Sequence, residues 1–188
     1  LHGHLAEFRD AGAEFAALEV SSHALAQDRI AGVEFDTVLF TNLSRDHLDY
    51  HGDMHAYAET KARLFLDYPA RHRVINLDCE FGTELAARCG EDVVTVSTQF
   101  DRVANGRPYV FVRSVVAKPE GSLVTVTSSW GDGHFRLPLH GEFNVANAAL
   151  VLAFLLSEDV PVDAASAALA AVEAPPGRLQ RVDVDTGP

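Results

Sequence analysis

The densest run of chemically capable side chains is Thr41-Asn42-Leu43-Ser44-Arg45-Asp46-His47-Leu48-Asp49-Tyr50-His51-Gly52. It follows directly on Thr37 to Thr41, which reads as a short buried strand. A second polar run, Glu19-Val20-Ser21-Ser22-His23, ends another apolar stretch, Phe15 to Val20. In open α/β sheets, ligands bind beyond the carboxyl ends of the strands. A carboxylate, two hydroxyls and several imidazoles are therefore expected at one rim of a sheet. Each of these residues alone also fits a solvated loop with capping Asp and Ser; two such loops at one edge point to a site.

The donor types suggest which metal such a rim would take. His47 and His51 are four apart, but Gly52 and the loop chemistry argue against one helical zinc face. Glu19 with one histidine makes a sparse shell completed by oxygen and water. That suits Mg²⁺, which keeps waters and works through substrate phosphates. Zinc would want three or four protein ligands.

Lys61 is the most informative single residue. Asp53 can cap a helix, and Met54, Tyr57, Lys61, Leu64, Phe65 and Tyr68 then recur at spacings of three and four on one stripe. The bland alternative is a lysine whose stem packs while its head reaches water. The sharper one is a buried lysine beside the rim, where desolvation lowers its pKa and frees the amine to react. The only other lysine is Lys118, and neither follows a glycine, so the chain carries no GxxxxGK[ST] phosphate loop.

These residues need a frame. Strand-like runs at Phe15–Val20, Thr37–Thr41, Arg73–Leu77 and Val93–Val96 alternate with helix-like segments at Leu5–Ala11, Met54–Tyr68 and Glu80–Arg88. That alternation predicts an α/β fold with a mostly parallel sheet flanked by helices. Tyr109–Ala117, Leu123–Ser129 and His134–Leu139, joined by Pro- and Gly-containing turns, predict a small three-stranded antiparallel sheet. Helices are expected over Phe143–Leu156 and Val162–Val172, and Ala174-Pro175-Pro176-Gly177 reads as a linker.

Composition agrees with one folded domain. The 188 residues are 47% hydrophobic and 22% charged, with a net charge of −12. Such an acidic chain is a poor nucleic-acid binder, and no apolar run is long enough to insert in a membrane. Cys79 and Cys89 have no zinc or CxxC spacing and read as two reduced thiols. The first residue is Leu1 and no leader follows it, so the chain reads as a piece of something longer.

With these residues in view, the chain resembles the Mur ligases of bacterial cell-wall synthesis. The resemblance is carried by Glu19 to Leu25, Gln27, Arg29, Phe40 to Gly52, Lys61, Leu64-Phe65, Gly141 to Ala148 and Gly177 to Asp183. It covers nearly the whole chain and is closest to the members that add the third residue of the peptide. It implies residues 1–174 as a central ATPase domain without its phosphate-loop part. Residues 175–188 would be a linker and the start of a carboxyl-terminal domain. It also implies a cytoplasmic bacterial enzyme of peptidoglycan synthesis. ATP would phosphorylate the terminal carboxylate of UDP-MurNAc-L-Ala-D-Glu, and the amino group of diaminopimelate or lysine would displace the phosphate.

By that resemblance, Ser21, Gln27 and Arg29 contact the UDP-MurNAc-dipeptide. Glu19 and His47 are Mg²⁺ ligands. Lys61 is an N6-carboxylysine, a cation turned into an anion that can hold Mg²⁺ near the γ-phosphate. Asn144 and Asn147 approach ATP, although both also fit helix capping and packing. Without a phosphate loop the segment is expected to be inactive by itself. Two other readings stand beside this one: a ligase of the folylpolyglutamate synthetase kind, and a non-catalytic binding domain that keeps the fold.

Overall fold

Val74 and Ile75 are neighbours in sequence, both fully buried, and they belong to two different hydrophobic clusters. Successive side chains of a strand point to opposite faces, so a sheet covered on both sides needs such unbroken apolar runs. The computed structural model describes residues 1–99 and 106–173. Its helices are α1 His2–Asp10, α2 Ser22–Ala26, α3 Leu48–His51, α4 Met54–Leu66, α5 Glu80–Arg88, α6 Glu142–Ser157 and α7 Val162–Ala170. Its strands are β1 Phe35–Phe40, β2 Ala70–Asn76, β3 Val94–Ser97, β4 Tyr109–Lys118, β5 Gly121–Ser128 and β6 Gly133–Leu137.

The six strands form one mixed sheet in sequence order. β1 to β4 run parallel, with Leu39 level with Val74 and Val74 level with Val94. β4, β5 and β6 form an antiparallel meander. The α/β class and both kinds of pairing are as expected from the sequence; β4 serves both, so the meander continues the parallel sheet. One face is covered by α6 and α7, whose Leu150, Leu152, Ala153 and Leu169 pack on Val96, Val110, Val124 and Phe135. The other is covered by α2, α4 and α5, whose Leu25, Ala62, Phe65 and Leu85 pack on Val38, Phe40 and Ile75.

One expected strand is not formed. Phe15 to Val20 has no ladder partner and is exposed except at Val20, with Phe15 81% exposed. A strand needs a neighbour for its backbone N–H and C=O groups. β1 is the edge of the sheet, and Phe15 to Val20 does not pair with it. Apolar, β-branched composition gives a run its tendency, and pairing makes it a strand. The linker read at Ala174 to Gly177, and everything to Pro188, lies outside the described residues.

Gly82 lets α5 close onto the sheet. A Cβ there would stand 2.0 Å from the carbonyl oxygen of Asn76, at the end of β2. In an unconstrained helix, Gly→Ala gains about 1 kcal/mol. Here the overlap is with backbone, so Gly82→Ala is expected to lose about 1–3 kcal/mol, as overpacked cores do. Urea unfolding of the chain measures it; a midpoint equal to or above wild type contradicts the close approach.

Candidate active site at the carboxyl rim of the sheet

After β1 the chain turns at the sheet edge and places His47 in the left-handed region, φ 54°. For a non-glycine residue that conformation costs about 1–2 kcal/mol. The Asp46 carboxylate helps to hold it: Oδ1 accepts the His47 backbone N–H at 2.8 Å and lies 3.5 Å from its Nδ1. α3 starts from this strained residue.

An imidazole–phenol cluster joins α2, α3 and α4. The His23 ring is 4.8 Å from His47, 4.3 Å from Tyr50 and 5.6 Å from His51, between centroids. Tyr57 of α4 is 6.0 Å from His47 and 5.3 Å from His51. His51 Nε2 shares a hydrogen bond of 2.9 Å with Ser22 Oγ, and Ser22 is only 2% exposed. Burial holds the His51 imidazole below its usual pKa, and the neighbouring His23 and His47 push the same way.

α4 is capped by Asp53, whose Oδ1 accepts the Ala56 N–H at 2.8 Å. Its Tyr57, Leu64 and Phe65 are buried as the stripe requires. Lys61 sits on that stripe, half-buried, with Nζ 5.5 Å from the Tyr57 ring centroid. Burial pushes its amine below the usual lysine pKa, and the Glu19 carboxylate works against that shift. Lys61 is thus half-buried, its amine partly desolvated rather than fully free in water. The Tyr57 ring thus neighbours both Lys61 and His47, and Glu19 is within electrostatic range of Lys61.

Among the described residues, no three of His, Cys, Asp and Glu gather closely enough to hold one metal ion.

The other expected residues fall in two places. Ser21, Gln27 and Arg29 lie on α2 and its exit. Ser21 Oγ accepts the Ala24 N–H at 3.1 Å as the helix cap, and the Gln27 amide donates to the Tyr50 hydroxyl at 3.3 Å. Asn144 and Asn147 lie in the first turns of α6, on the opposite face of the sheet from α4. The Asn144 amide donates to the His140 carbonyl at 2.7 Å, a packing role, and Asn147 is exposed. Beside them is a groove of about 670 Å³. Thr98 and Gln99, the outer part of β4, and Gly141, Glu142 and Val145 line it.

Sequence reasoning missed the polar stitching under this rim. Asn76, 5% exposed, lay inside a run read only as a buried strand. Its Nδ2 donates to the Thr41 carbonyl at 2.8 Å, and Asp78 just beyond gathers Ser97 and Thr98. The signal was an Asn-Leu-Asp at the carboxyl end of a strand, where polar side chains face the rim.

Two outcomes follow for stability. His51→Ala strands the buried Ser22 hydroxyl and is expected to cost about 1–3 kcal/mol in urea unfolding. A loss below a few tenths would show that the hydrogen bond does not hold α2 to α3. For Lys61, an amine pushed below its usual range is penalised while charged. The unfolded chain then binds that proton more tightly, so stability rises with pH from the lowered folded value to the unfolded one, about 10.4. Lys61→Met should therefore unfold at higher urea than wild type at neutral pH in CO₂-free buffer. The gap should close as pH climbs to that value, and a constant gap refutes the desolvation.

Comparison with known proteins places this geometry. The family described as the Mur ligase middle domain matches residues 1–155. The chain is similar to the UDP-N-acetylmuramoyl-L-alanyl-D-glutamate--2,6-diaminopimelate ligase of Chromobacterium violaceum, 43% identical over 178 residues, covering 95% of this chain and 35% of that protein. The ligase of the same name from Coxiella burnetii is 40% identical over 184 residues, covering 97% of this chain and 38% of that protein. A solved structure of a ligase so named superposes with a TM-score of 0.84 at 31% identity, over 97% of this chain and 37% of that one. The chain spans little more than a third of these relatives. With the family match running over residues 1–155 of its 188, this chain belongs to the Mur ligase family.

Proposed function

We propose that this chain is the central domain of an ATP-dependent amide ligase of peptidoglycan precursor synthesis. It would add diaminopimelate to UDP-MurNAc-L-Ala-D-Glu in the bacterial cytoplasm. The observation that carries this is the partly desolvated Lys61 amine, 5.5 Å from the Tyr57 ring that also neighbours His47, in a chain 43% identical to a ligase named for that reaction. No helix among the described residues is long and apolar enough to cross a membrane.

Each group then has a task. Ser21, Gln27 and Arg29, on one short stretch, hold the UDP-MurNAc-dipeptide. The groove at the start of α6, with Asn144 and Asn147, takes the nucleotide base. A neutral Lys61 amine can add CO₂ to become an N6-carboxylysine, losing one proton and gaining a negative charge. Glu19, His47 and that carbamate are the residues that would hold Mg²⁺. The ion would supply charge neutralisation at the transferring phosphoryl group. ATP phosphorylates a carboxylate of the D-glutamyl residue, the amine of diaminopimelate attacks the acyl phosphate, and inorganic phosphate leaves. The 188 residues carry no GxxxxGK[ST] phosphate loop.

A full-length ligase carrying this domain should release phosphate from ATP only with UDP-MurNAc-L-Ala-D-Glu and diaminopimelate together. Folate with glutamate should give no turnover, and neither should the 188-residue chain alone. Lys61→Ala should lower kcat by about a thousandfold, the scale of losing a group that stabilises transition-state charge, and a short carboxylic acid should restore part of it. An alanine variant with most of the wild-type rate would refute the role of Lys61.

A further inference from the structure

We infer that Asp78 is a positioning residue for the nucleotide side of this site, an assignment that rests on the function proposed above. Asp78 stands two residues past the end of β2, and its carboxylate is saturated by the end of β3. Ser97 Oγ donates to Oδ1 at 2.7 Å. The Thr98 backbone N–H lies 3.0 Å from Oδ1 and 3.2 Å from Oδ2, and Thr98 Oγ1 donates to Oδ2 at 2.7 Å. Gln99 closes the ring, its amide donating to the Asp78 carbonyl at 3.3 Å. The carboxylate thus ties Ser97 and Thr98, and the Asp78 carbonyl ties Gln99, where the chain leaves the sheet.

Those residues form a wall. Thr98 and Gln99 line the groove together with Gly141, Glu142 and Val145 at the start of α6. The position of that wall is transmitted from the other end of the rim. The Asp78 backbone N–H donates to Asn76 Oδ1 at 3.0 Å, and Asn76 Nδ2 donates to the Thr41 carbonyl at 2.8 Å, immediately before the loop that carries His47. An unbroken chain of hydrogen bonds therefore crosses β1, β2 and β3 from the His47 loop to the groove. Hydrogen bonds to a charged carboxylate are short and strong, and a network of this kind fixes one arrangement of its members. Asp78 is not among the residues that line the groove; it acts through Thr98 and Gln99, which are.

The test uses a full-length ligase carrying this domain, with Asp78→Asn, Thr98→Val and the double variant. KM for ATP, KM for UDP-MurNAc-L-Ala-D-Glu and kcat are measured for each, beside thermal unfolding. Each single variant is expected to raise KM for ATP by about tenfold, the size of one charge-assisted hydrogen bond. KM for the nucleotide-sugar peptide should stay within about twofold, and the double variant should be no worse than Asp78→Asn, because the two act as one unit. Equal movement of both KM values, multiplied effects in the double variant, or a wild-type KM for ATP in Asp78→Asn overturns the inference. If Asp78→Asn fails to fold, Thr98→Val decides alone: an unchanged KM for ATP there overturns it. A wild-type protein that consumes no ATP with the nucleotide-sugar peptide instead refutes the function, a distinguishable result.

Discussion

A buried amide holds the rim together. Asn76 is 5% exposed and spends its donor on the Thr41 carbonyl and its acceptor on the Asp78 N–H. Parallel strands end without a turn between them, so nothing covalent keeps their carboxyl ends level. A side chain that bridges the ends of β1 and β2 supplies that constraint. Gly82 allows it, because only a residue without a Cβ lets α5 pass so close to Asn76. The His47 loop, the Asp78 ring and the groove wall all take their positions from this junction.

The second constraint is on α4, which must present a lysine where water is scarce. It is held from both sides. Arg63 donates to the Leu25 carbonyl and to Asp28, each at 2.9 Å, tying α4 to α2 and its exit. Arg88 of α5 forms a fork with Glu59 of α4, at 2.6 Å and 2.9 Å. Exposed ion pairs of this sort contribute at most about 1 kcal/mol each, so they guide orientation more than they stabilise. The apolar stripe of Tyr57, Leu64 and Phe65 carries the packing, and Lys61 rides on it at a desolvation cost.

Much of this was legible in the sequence, for reasons that differ by element. The bounds of α5 and the existence of all six observed strands follow from short apolar runs and from turns rich in Gly and Pro. His47 and Lys61 were legible because a polar cluster after a strand and a cation in an apolar stripe are both unusual. What was not legible depended on pairing or on distance. Phe15 to Val20 has strand composition, but composition does not say whether a partner lies alongside. The left-handed φ of His47 leaves no trace in residue type, because Asp46 rather than a glycine supports it. Asn76 and Asp78 looked like a strand end and a loop, since their partners Thr41, Ser97 and Thr98 are brought to them only by the parallel register.

The double pairing of β4 bears on how such a chain assembles. Its antiparallel neighbour follows after a tight turn, Lys118 lying level with Gly121, whereas its parallel neighbour β3, and β2 and β1 beyond it, lie further off along the chain. Contacts close in sequence form quickly, and non-local pairings must first meet the entropy of loop closure. The meander therefore supplies a ready edge, its Val110 and Phe111 already held by Ser128 and Thr127, onto which β3 and then β2 and β1 can add. The His47 loop, by contrast, leaves the far edge of the sheet, where β1 pairs with β2 alone.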